Sequence, residues 1–140
     1  MRWIPFAAVC AAFLASADFF VKLASSRISS SLGAMVYGLT TLAAGLAWVL
    51  YERATGQPQY STPQGWGYAI LVGLAFSGVT FLLFVTYTKV EVSIGSPTIR
   101  LTAIVLASLL GIVALREPVT WRYALGVVLA VAGVALIVAR

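Results

Sequence analysis

The sequence predicts an all-α membrane protein of five transmembrane helices, and three observations predict it. Of 140 residues, 61% are hydrophobic and 9% charged. A soluble domain carries about 25% charged residues and must cover much of its surface with polar groups. The apolar residues fall in runs of spanning length, which is ~20 residues for a helix. The breaks between runs are short, and hydrocarbon leaves a chain this small no element but the helix that satisfies its own backbone.

The first span is expected at about 3–24, ended by Ser25-Ser26-Arg27. Arg2, an apolar run and Ala15-Ser16-Ala17 have the look of a secretory leader. The run continues through Phe19, Phe20 and Val21, however, so a membrane span is the expectation. The second span, about 31–52, ends at Glu52-Arg53. Residues 54–65, rich in Gly, Pro and Gln, form the one real loop. Span three, about 66–88, opens on Trp66 and Tyr68 as interfacial anchors. Span four, about 93–115, is joined to span five, about 120–139, by a tight turn at Arg116-Glu117-Pro118. No internal repeat is visible, so residues 1–140 read as one five-helix unit.

Small residues recur at helix-contact spacing: Gly126, Ala130 and Gly133 in span five, Ala103, Ala107 and Gly111 in span four, Gly73 and Ser77 in span three. Such stripes let helices approach closely. They are expected to be internal packing faces, with span five as the alternative dimer face.

Charge and composition exclude several classes. The net charge of +5 is spread singly along the chain, which reads as membrane-end anchoring rather than nucleic-acid binding. Histidine is absent and Cys10 is the only cysteine, so no internal disulfide forms. Catalytic pairs, phosphate-loop glycines and metal-ligand clusters are missing, and neither an enzyme, a metal nor a cofactor is expected. With the N-terminal side called A, side A holds Arg2, Arg53, Arg116 and Arg122. Side B holds Lys22, Arg27, Lys89 and Arg140. Four face four, so the positive-inside rule selects no orientation.

Arg100 is the residue that most needs an explanation. A charge at membrane depth costs roughly 2.5–3.5 kcal/mol on insertion scales, so it faces a cavity or a partner. Asp18 lies about six residues before the end of span one, and Arg100 about seven into span four, which runs the other way. At ~1.5 Å per residue both sit roughly 10 Å below side B. Lys22 is one turn beyond Asp18 on the same face. Ser93, Ser96 and Arg100 share a stripe, with Ser108 further along. Tyr37, Thr80 and Tyr87 are further cavity candidates. Ser96-Pro97 reads as an N-cap and N1 proline, so a helix restart is expected there. The blander readings are a pair that merely neutralises two buried charges, or an Arg100 that snorkels to the side B headgroups.

The run from Leu115 to Ile137, with Glu117 before a short turn and then Gly126 and Gly133, resembles the closing helix of EamA-like proteins of the drug/metabolite transporter superfamily. The segment from Ser96 to Leu101, with its proline and basic residue, is similar to that of short single-unit members. The resemblance implies a transporter with no cofactor, in the inner (plasma) membrane of a prokaryote. Most members pair two inverted five-helix units, so a single unit implies a second chain. That chain is an antiparallel homodimer partner or a similar half-transporter. Small multidrug resistance relatives use one acidic residue in the first helix; Asp18 is acidic and in the first helix, though nearer side B.

The expected function is therefore dimeric, proton-coupled exchange of a small polar or amphipathic metabolite or drug amid membrane lipids. Arg100 and Ser96 favour an anionic or zwitterionic solute. Substrate-binding candidates are Arg100, Asp18, Tyr87, Tyr37, Thr80 and Ser96; proton or counter-ion candidates are Asp18 and Lys22. The alternative is a non-transporting membrane subunit, or half of a heteromeric lipid-carrier flippase.

Overall fold

The structure is a computed structural model and describes residues 3–139. Arg2 and Arg140, counted above for topology, lie outside the described residues. Five helices follow in order: α1 (Ile4–Ser25), α2 (Ser30–Ala54), α3 (Pro63–Tyr87), α4 (Val92–Leu115) and α5 (Trp121–Val138). Each is long and apolar enough to cross a membrane. Even α5, with 18 residues, reaches about 27 Å at ~1.5 Å per residue. The protein is thus an integral membrane protein built of helices.

The helix ends follow local chemistry. Gly56 takes a positive φ of 68° just past α2. The Gln57 N–H returns to the Glu52 carbonyl at 2.9 Å and the Gly56 N–H to Arg53 at 3.2 Å. This is a glycine C-terminal cap that occupies otherwise orphaned carbonyls. Thr62 and Thr120 cap α3 and α5, accepting from the N–H of Gly65 (3.1 Å) and of Tyr123 (3.3 Å). Pro63 follows Thr62 at the first helical position, where its missing N–H costs nothing. Helix α3 therefore starts three residues before the expected Trp66.

The restart expected at Ser96 does not occur. Helix α4 begins at Val92, after Glu91, and runs through Pro97 without a break. Pro97 has no N–H to give the Ser93 carbonyl one turn back, so one rung of the ladder is missing inside the helix. The Ser96 hydroxyl is engaged elsewhere. The backbone N–H groups after Pro97 are therefore those of a continuing helix, not of a helix start.

By their internal contacts the residues fall into two compact units. One is Phe19–Lys89, in which α2 packs on α3. There the Phe84 ring, 5% exposed, lies directly over Gly33. The other comprises the described residues through Asp18 and from Val90 onward, in which α4 packs on α5. At its turn Arg116 is left-handed (φ 55°, ψ 38°), and the N–H groups of Arg116 and Glu117 both approach the Gly111 carbonyl. The Glu117 carboxylate folds back over Gly111.

Among the stripe glycines, Gly111 is closely packed and the others are not. A Cβ on Gly73, Gly126 or Gly133 would meet nothing within 4 Å. Close approach occurs at Gly33 and at Gly111, the last member of the span-four stripe. The expectation of internal packing at Gly73, Gly126 and Gly133 is corrected accordingly.

Candidate functional site

Asp18 is 1% exposed, although it carries a charge in an apolar helix. Such burial is tolerated only where the carboxylate is paired and hydrogen-bonded. Arg100 supplies the pairing: Nη2 donates to Oδ1 at 2.8 Å and Nε to Oδ2 at 3.3 Å. Ser96, one turn before Arg100 on α4, donates its hydroxyl to Oδ2 at 2.5 Å. The spacing of four residues stacks Ser96 and Arg100 on one helix face. A single carboxylate thus receives three donors, all within one unit. The Arg100 guanidinium lies on Asp18, which excludes the snorkelling geometry.

The pair leaves functional capacity. A guanidinium has five N–H donors; two are on Asp18, so three remain. The Arg100 side chain is 32% exposed, against 2% for that of Asp18. Asp18, Ser96 and Arg100 form one end of a cavity of about 480 Å³ between α1 and α4. This volume falls within the ~300–1,000 Å³ of small-molecule sites. Among the described residues no Cα of α1 comes within 8 Å of one on α4. Asp18 with Ser96 and Arg100 bridges the two helices.

The other candidates stand in the unit Phe19–Lys89. Lys22 donates from Nζ to the Tyr87 carbonyl at 2.6 Å, a cation at the C-terminal end of α3, where the helix dipole favours it. Tyr87 is fully buried. Thr80 is buried and gives its hydroxyl to the Phe76 carbonyl at 2.8 Å. Tyr37 is 40% exposed on α2. Missed in the sequence were Ala11 and Ala15, which with Ala103 and Ala107 line the cavity. Their signal was alanine at four-residue spacing on both helices, legible only once α1 and α4 are known to face each other. No group of metal-ligating side chains occurs among the described residues.

Five helices long and apolar enough to span a membrane, with an ion pair at the end of a cavity, define a class, the polytopic membrane proteins. The family is more specific: the model of the EamA-like transporter family matches residues 1–139, and the chain belongs to that family. It is accordingly a membrane transporter of the drug/metabolite type. No similarity to a curated protein or to a solved structure was found.

Proposed function

We propose that this chain is one five-helix half of a proton-coupled exchanger, and that the Asp18–Ser96–Arg100 cluster is its solute site. The observation that carries the reading is the cavity itself. A buried carboxylate and a partly exposed guanidinium meet at its end, with three guanidinium donors still unused. An anionic or zwitterionic solute takes those donors and weakens the hold of Arg100 on Asp18. Asp18, the proton or counter-ion site, is then freed to accept a proton. Lys22 supplies positive charge further along α1. The second half is another copy in antiparallel orientation, a reading supported by the four-to-four Lys and Arg count.

The test is flux in proteoliposomes containing the purified chain and an imposed proton gradient. Asp18→Asn combined with Arg100→Gln removes both charges and strands neither. A purely structural pair predicts a folded, active double variant. The proposed site predicts a folded, inactive one, and retained flux overturns it.

A further inference from the structure

The shape of the cavity narrows the class of solute. Small residues on facing membrane helices ordinarily bring the helices together. Here Ala11 and Ala15 on α1 face the same cavity as Ala103 and Ala107 on α4. The missing bulk is present as space. From Asp18 to Ala11, and from Arg100 to Ala107, is seven residues on each wall, or about 10 Å at ~1.5 Å per residue. Beyond the ion pair the lining is aliphatic. A solute with polar groups along its whole length would leave them unpaired there, at a cost of roughly 1–3 kcal/mol each.

Resting on the reading of this cluster as a solute site, we propose that the cavity takes an amphiphile with one anionic head and an alkyl body. The head, a carboxylate or a phosphate monoester, sits on the unused guanidinium edge of Arg100, whose fork matches two oxygens at once. The alkyl body runs between α1 and α4 along the four alanines. The charge of Asp18 is already matched by two guanidinium N–H groups and the Ser96 hydroxyl, so the head meets donors rather than a bare carboxylate.

The experiment uses the full chain in phosphatidylcholine nanodiscs, titrated calorimetrically with decanoate, butyrate, decanol and decyltrimethylammonium. Decanoate is expected to bind saturably and at least tenfold more tightly than the other three. Arg100→Gln should weaken decanoate at least tenfold. Ala107→Phe and, separately, Ala15→Leu fill the cavity and leave every charge in place. Both should weaken decanoate and leave butyrate unchanged. Repeating the titration with phosphatidic acid, a bilayer phosphate monoester, in the disc separates the sources of the head. Competition with decanoate assigns it to bilayer lipid, and unchanged affinity assigns it to a soluble amphiphile. Equal binding of decanoate and decanol, or of the cationic probe, overturns the anionic head. Butyrate binding as tightly as decanoate overturns the alkyl body while leaving Arg100 as a solute site, so this failure differs from failure of the transporter reading. Decanoate binding that the cavity-filling variants do not alter overturns the location.

Discussion

The ring of Phe84 lies so close to Gly33 that a Cβ on the glycine would stand 2.5 Å from two ring carbons. A buried aromatic ring is rigid, and 2.5 Å is well inside van der Waals contact, so ring or backbone has to move. Overpacking of this kind costs roughly 1–3 kcal/mol. Gly33→Ala should therefore lower unfolding stability in detergent by about that amount. Combining it with Phe84→Leu should cost less than the sum of the two single changes, because the clash is shared. Additive losses would show that the ring does not set the limit.

Gly111 offers the contrast. A Cβ there would stand 2.7 Å from Glu117 Oε2, but that atom ends a flexible, exposed side chain. The carboxylate can swing away. Gly111→Ala should thus cost less than about 1 kcal/mol, since the exchange also removes glycine's unfavourable helix propensity. Urea titration of the two alanine variants side by side checks the ranking, with Gly33 the more sensitive position.

The ion pair should respond asymmetrically. Arg100→Ala strands an Asp18 carboxylate that is 2% exposed; Asp18→Ala leaves an Arg100 already 32% exposed. Breaking a fully buried pair costs roughly 3–5 kcal/mol. Partial exposure of Arg100 reduces this to about 1–3 kcal/mol for its removal, with a smaller loss for removal of Asp18. Thermal melts of both variants test the order, and equal or reversed losses would contradict the burial argument. Ser96→Ala, which deletes a hydroxyl 2.5 Å from Asp18 Oδ2, should cost roughly 1–3 kcal/mol, as for a hydrogen bond to a charged group.

These residues also show what was legible before the structure. The five spans were readable because length and hydropathy alone fix a membrane helix. The meeting of Asp18 with Arg100 was readable too, since equal depth on antiparallel spans follows from counting residues. Caps were not. Thr62-Pro63 and Ser96-Pro97 present the same dipeptide signal, yet Thr62 starts a helix and Ser96 lies within one. What separates them is tertiary: the Ser96 hydroxyl donates to a charged carboxylate from another helix, which no local pattern encodes. Gly33 was equally silent, and Gly111 was legible as a contact residue but its neighbour, the Glu117 carboxylate, was not, because close approach depends on which side chain arrives from elsewhere in the fold.

The orientation of the chain gives the last prediction. Side A carries Arg2, Arg53, Arg116 and Arg122, and side B carries Lys22, Arg27, Lys89 and Arg140. Lys and Arg near helix ends set topology, so an even count leaves both insertions close in free energy. Reporters active on only one side of the membrane, fused after Arg140, should therefore give signal from both sides. Two Lys added in the loop after Ala54, on side A, should lock one orientation, and two added next to Lys89 should lock the other. Flux from either locked form alone should collapse, and co-expression of the two should restore it, if the working unit is an antiparallel pair. A single orientation in the unmodified chain, with full flux, would remove the antiparallel homodimer and leave a partner of a different sequence to supply the second half.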